Sequence, residues 1–221
     1  MGPAGRGEAP AGVDAIVLCV PDAEIHSAAA ALAGAAPLVG HTSGATGLSA
    51  LEPSGAAGRF GLHPLQTFSG SPQDAERFRG CRCAVGGTSA DALDAALGIA
   101  RSLGMAPFEL RDEQRPAYHA AASIASNFLV ALEAAAEEVA AGAGLDPEEA
   151  RAALAPLVRT TVENWAALGP ERALTGPVAR GDELTVAAQR AAVRATAPHL
   201  EALFDVMVGR AQALARHEVT A

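Results

Sequence analysis

His119, Ser123 and Asn127 are spaced four residues apart, which on a helix of 3.6 residues per turn puts them on one face within about 80°. Ser126 falls beside them on a stretch otherwise made of Ala, Ile, Leu and Phe. Buried polar groups need partners, which either a bound ligand or a neighbouring loop would supply. A second candidate, Leu174-Thr175-Gly176-Pro177-Val178-Ala179-Arg180-Gly181-Asp182, joins turn formers to a hydroxyl, a guanidinium and a helix cap. Arg180 suits bidentate contact with a carboxylate or phosphate; alternatively Asp182 caps its helix and Arg180 pairs with it. A third, His63-Pro64-Leu65-Gln66, follows an apolar run. Ligands in open α/β sheets bind outside the carboxyl ends of strands, so His63 is well placed, although a loop histidine also serves as a surface or structural residue. The same topology applies to Val20-Pro21-Asp22 and Thr42-Ser43-Gly44, whose backbone would line a cleft.

Other chemistries fail on spacing. In Gly40-His41-Thr42-Ser43-Gly44 the serine stands one place late for a nucleophile elbow. There is no H-E-x-x-H, and Cys81-Arg82-Cys83 has no second cysteine pair to complete a zinc site, so no metal is expected. Gly2-Pro3-Ala4-Gly5-Arg6-Gly7 follows no strand and is not a dinucleotide loop.

The elements that must position these residues read as two groups. Residues 13–20 form a short, nearly continuous apolar run stopped by Pro21-Asp22, as expected of a strand buried on both faces, and Cys19 within it is expected to be buried. A helix over 23–33 follows, then strands over 37–41, 60–63, 82–85 and 107–110, with a helix over 89–103 ended by Gly104. This alternation predicts a parallel sheet with right-handed crossovers. Beyond Leu110 the pattern is helical: one long helix over 116–141, another from the Asp146 cap that Pro156 should kink or divide, a loop over 169–181, then helices over 182–197 and 199–217. The expected organisation is an irregular leader at 1–12, a sheet domain over 13–105 and a helical domain over 106–221.

With 221 residues, half of them apolar, the chain is long enough to bury a substantial core. Its net charge of −9 disfavours nucleic acid and anionic membranes, leaving small molecules as the expected partners. The apolar run ending at Val20 is far below the roughly 20 residues needed to span a bilayer, and a cytoplasmic location is expected. All sixteen basic residues are arginine. The helices present small residues on several faces, from which a homodimer is expected.

Taken in order, Ala15-Ile16-Val17-Leu18-Cys19-Val20-Pro21-Asp22, His41-Thr42-Ser43-Gly44-Ala45, Leu62-His63-Pro64-Leu65-Gln66-Thr67-Phe68, Tyr118-His119-Ala120-Ala121 with Ser126-Asn127, and the segment from Leu174 to Asp182 resemble Rossmann-like oxidoreductases with a C-terminal domain of unknown function, the 2520 type. That group is similar in layout to pyrroline-5-carboxylate reductase, the hydroxyacid dehydrogenases and the ketopantoate reductases. The resemblance implies a partial Rossmann-like parallel sheet followed by an all-α domain of the 6-phosphogluconate dehydrogenase C-terminal type. It implies an NADP cofactor lined by Val20, Pro21, Thr42, Ser43 and Gly44, with substrate held by His63, Gln66, Thr175 and Arg180.

Hydroxyacid dehydrogenases of this layout carry K-x-x-x-N on the helix of His119, Ser123 and Asn127. Here Ser123 replaces the lysine and Asn127 is retained. Proton donation would then fall to His119, whose ordinary pKa of about 6.5 suits it, or to a serine relay or bound water. The family's first strand, glycine turn and next two strands, roughly sixty residues, would stand before Val13. Their lack implies weak or absent NADP binding by this chain, and the alternative to a reductase of a small keto acid or imine is a non-catalytic, dimerising module that binds a small ligand.

Overall fold

The five apolar runs pair side by side in the computed structural model, which describes residues 5, 8, 10 and 12–216. The strands are β1 (Ala15–Leu18), β2 (Leu38–His41), β3 (Gly58–Pro64), β4 (Arg82–Gly87) and β5 (Ala106–Glu109), and they lie in the sheet in sequence order. Most of the expected leader lies outside the described residues. The chain divides into two compact units, residues 1–127 and 128–221, so the segment over 106–127, expected among the helices, belongs to the sheet unit.

The sheet is parallel except at one pair, β3 with β4, which run antiparallel. The β3–β4 connection, which holds the 3-10 turn Pro72–Phe78, returns the chain antiparallel, whereas the β2–β3 connection, with the 3-10 helix Leu48–Ser54, keeps it parallel. Asp74 shapes the β3–β4 connection: its carboxylate accepts from the amides of Ser69, Gly70 and Ser71, and against the effect of burial the Ser69 and Gly70 amides, the Ser69 hydroxyl and Arg77 hold its pKa below its ordinary value. Cys19, expected inside, lies one residue past β1 and is exposed.

Strand alternation sorts the residues onto two faces. Phe60, Leu62, Cys83 and Val85 pack on one face against Ala92, Ala96 and Ala100 of α2 (Ala90–Ser102), whose N-terminus Ser89 caps. On the other face Leu18 and Val39 pack with Ile25 and Ala29 of α1 (Ile25–Ala31) and with Leu51. The register sets His41 beside Gly61 and Gly61 beside Gly86, which makes a row with almost no side-chain bulk on this second face.

The long helix expected over 116–141 is interrupted. It forms α3 (Arg115–Ala125) and α4 (Asn127–Ala140), with Ser126 at φ −119° and ψ −72° between them. The stretch Asp112–Ala143 contains an 18-residue window with a mean hydropathy of 1.2 and is long and apolar enough by length and composition to cross a membrane, unlike the shorter run ending at Val20. Its first turn, however, carries Arg115, which is buried in the sheet unit.

In the second unit α5 (Pro147–Leu168) is capped by Asp146 and Glu149 as expected, but runs through Pro156 undivided. The proline leaves the Ala152 carbonyl without its donor, and both residues are exposed, so water can satisfy it. The expected loop over 169–181 instead contains two short helices, α6 (Pro170–Ala173) and α7 (Gly176–Ala179). Asp182 caps α8 (Glu183–Thr196), and α9 (Glu201–Ala215) follows.

His41 is fully buried in β2, and its Nδ1 accepts the Ser43 amide at 3.2 Å, which fixes the neutral ring. Burial first, then Arg115, lowers its pKa to about 4, against smaller opposing effects that include Asp112 and Asp22. The unfolded chain therefore binds a proton here below about pH 6.5 that the fold refuses until about pH 4, and stability falls as pH drops through that window. His41→Gln, which keeps an acceptor but does not titrate, should remove about 3 kcal/mol of the acid-induced loss between neutral pH and pH 4. Denaturant midpoints measured across pH check this; parallel curves for the two proteins would contradict it.

Candidate functional site

The carboxyl ends of β1, β2 and β3 open on the second face, and α3 brings Tyr118 and His119 there. His63, the penultimate residue of β3, shares a hydrogen bond of 2.7 Å between its Nδ1 and the Tyr118 hydroxyl, with a direction set by the ring tautomer. Its ring lies 6.3 Å from that of His119. Both histidines close over Gly44: a Cβ there would stand 2.8 and 2.9 Å from His63 Cε1 and Nε2, and 3.0 Å from His119 Cδ2. Phe108 of β5 backs Tyr118 at a ring separation of 6.0 Å.

Burial, then the neighbouring His119 and Arg115, push the His63 pKa below its ordinary value, while Asp22 opposes them. Burial pushes the Tyr118 hydroxyl up to about 12, so it stays protonated. At neutral pH the pair is a neutral imidazole joined to a neutral phenol.

The turn after β2 is held from within. Ser43 donates to Asp22 Oδ2 at 2.7 Å and accepts from the amides of Ala45 and Thr46. The amide of Leu48 donates to Asp112 Oδ2 at 2.7 Å. The Arg115 guanidinium, 1% exposed, donates from Nε to Asp112 Oδ1 at 2.7 Å and from Nη1 to the Ser43 carbonyl at 3.3 Å.

The expected residues are therefore only partly assembled. His63, His119 and Gly44 come together. Ser123 sits half-buried one turn after His119 on α3, but Asn127 is exposed and lies past the interruption at Ser126, where four-residue spacing no longer guarantees a common face. Gln66 is exposed, and its side-chain oxygen accepts the next amide, that of Thr67. Val20 and Thr42 are half-buried and Pro21 is exposed at the ends of β1 and β2. Ser43 is buried, with its hydroxyl engaged by the turn. Thr175 and Arg180 lie in the second unit, exposed at the two ends of α7. Asp112 and Arg115 were not anticipated, Asp22 was expected only to contribute backbone, and Tyr118 was noted only as part of a motif. The available signal was slight: Tyr118 is the chain's single tyrosine and stands next to His119.

The profile of the family described as Domain of unknown function (DUF2520) matches residues 81–211. No curated protein matches the chain. Among solved structures, protein TM1727 from Thermotoga maritima superposes with a TM-score of 0.79 at 28% identity, over 94% of this chain and 81% of that one. The candidate NADP oxidoreductase BF3122 from Bacteroides fragilis gives 0.73 at 22% identity, over 90% of this chain and 75% of that one. Pyrroline carboxylate reductase from Plasmodium falciparum, solved with NADP bound, gives 0.55 at 11% identity, over 91% and 77%. The last two are likenesses of fold alone: a Rossmann-like sheet followed by a helical part.

Because a methyl group at Gly44 would intrude on both rings, Gly44→Ala should separate His63 from His119 and destabilise the fold by about 1–3 kcal/mol. Thermal unfolding with imidazole NMR checks this, and unchanged ring signals would contradict it.

Proposed function

We propose, from the premise that this chain belongs to the DUF2520 family, that it is a cytoplasmic reductase-type protein acting on a small keto acid or imine, with His63 as the group that holds or gives the proton. The observation that carries this reading is the His63–Tyr118 hydrogen bond set beside His119 over the Gly44 backbone, at the carboxyl ends of three strands. In this reading Tyr118 donates to Nδ1, the tautomer that leaves the neutral ring's proton on Nε2, the atom turned toward Gly44 and His119. His119 is a second group within reach for proton exchange.

An NADP-type cofactor, when bound, supplies hydride. Half-buried Val20 and Thr42, exposed Pro21 and the Gly44 backbone fit the flat nicotinamide end. The pyrophosphate end does not find amides in the glycine turn after β2, because Ser43 and Asp112 already occupy those of Ala45, Thr46 and Leu48. This chain by itself is therefore expected to bind NADPH weakly or not at all. In the second unit Arg180 is available for a substrate carboxylate. A second copy of the chain is the proposed cover for α4, which buries no residue and exposes Phe128 (61%) and Val130 (70%). Sedimentation showing a folded monomer at micromolar concentration would contradict the homodimer.

NADPH consumption with a panel of small 2-keto acids and cyclic imines, at high cofactor concentration, tests the activity. His63→Gln should lower kcat by about 10²-fold with little change in melting temperature. The sign of the pH dependence follows from the lowered His63 pKa. Reduction needs the protonated ring and should rise as pH falls through a midpoint below 6.5, whereas oxidation of the product needs the neutral ring and should level off above that midpoint. Full turnover in His63→Gln would overturn the reading.

A further inference from the structure

Among the described residues the largest fully buried side chain is charged. Arg115 opens α3, and its guanidinium lies where two strand glycines leave room for it, with Nη2 buried beside them and without a hydrogen-bond partner. A Cβ at Gly61 would fall 2.3 Å from Nη2, and one at Gly86 would fall 3.7 Å from the same atom. Burying a guanidinium costs several kcal/mol unless it is paired and hydrogen-bonded, so this placement must be held by specific contacts. Nε is paired with Asp112, whose other oxygen takes the Leu48 amide, and Nη1 donates to the Ser43 carbonyl. One planar fork thus binds both ends of the turn containing Gly44, directly at Ser43 and through Asp112 at Leu48. The same residue belongs to the helical turn that leads into Tyr118 and His119, three and four positions on.

We propose that Arg115 is the positioning residue of the site, fixing the Ser43–Leu48 turn and the Tyr118–His119 turn of α3 to each other so that the His63–Tyr118 hydrogen bond can form. It touches no reacting atom. Lysine cannot replace it, because an ammonium is a single point of charge on a flexible stem and cannot serve Asp112 and the Ser43 carbonyl in the same fixed geometry. Gly61 is part of the device, since any side chain there displaces Nη2. The catalytic consequence rests on the reductase reading above, but the positioning itself does not.

A double-mutant cycle on the full chain tests it by imidazole NMR, with neither substrate nor cofactor present. The titration midpoint of His63 is measured with and without Tyr118→Phe, first in the wild-type background and then in Arg115→Lys and Gly61→Ala. Arg115→Lys keeps the charge and Gly61→Ala keeps the arginine, so neither merely deletes a neighbouring cation. In both backgrounds the shift caused by Tyr118→Phe should fall to less than about half of its wild-type size. A purely structural role would lower the melting temperature and leave that shift intact, which would overturn the proposal. Should Gly61→Ala fail to fold, the lysine background decides. Loss of coupling without any reductase activity would support the positioning role and count against the function; intact coupling with activity would do the reverse.

Discussion

The Arg115 guanidinium is an ion inside the sheet unit, and its burial constrains everything placed around it. Its cost is offset in part by the Asp112 carboxylate and the Ser43 carbonyl, while Gly61 and Gly86 leave room for Nη2, which has no hydrogen-bond partner. Asp112 remains 41% exposed on its side chain, so the pair sits across the boundary between interior and solvent. That arrangement leaves little freedom. Removing either partner would strand a charge or a carbonyl, which is usually far more destabilising than replacing the whole pair with apolar groups. The geometry is therefore set by what the buried ion needs, and the turn after β2 and the start of α3 follow from it.

The chemistry above this clamp depends on polar groups that are neutral at physiological pH. Burial raises the Tyr118 hydroxyl and lowers His63 and His41, and positive neighbours reinforce the effect on both histidines. His41 and His63 share a face of the sheet but differ in use. His41 is sealed in and accepts a backbone amide, whereas His63 reaches the end of its strand, half-buried, with one ring nitrogen engaged by a phenol and the other turned toward Gly44. A histidine with one ring nitrogen engaged by a phenol and a second histidine beside it is suited to moving a proton.

Much of the sheet was legible in the sequence because short apolar runs stopped by Pro, Gly and Asp are strong strand signals. The direction of β4 was not, since an apolar run reads the same in either direction, and the β2–β3 and β3–β4 connections each carry a seven-residue 3-10 helix yet lead to opposite directions. His63 was found by topology, from its place after an apolar run. The contacts of Tyr118 and the place of Arg115 were missed because they come from what tertiary packing sets against them, Phe108 and His63 in one case and two strand glycines in the other. The helical spacing of His119, Ser123 and Asn127 was read correctly as a pattern, but the interruption at Ser126 removes its last member from the geometry the spacing implied. Pro156 and the short helices after Gly169 show the converse: strong breaker signals that local hydration and neighbouring turns overrode.

Amide hydrogen exchange in Asp112→Ala tests most directly whether one buried ion pair holds these segments as a unit. The account predicts that the amides of Ala45, Thr46 and Leu48 and those of the first turns of α3 lose protection together, although only Leu48 donates to Asp112 itself. Faster exchange at Leu48 alone, with Ala45, Thr46 and α3 protected as in the wild-type protein, would contradict it.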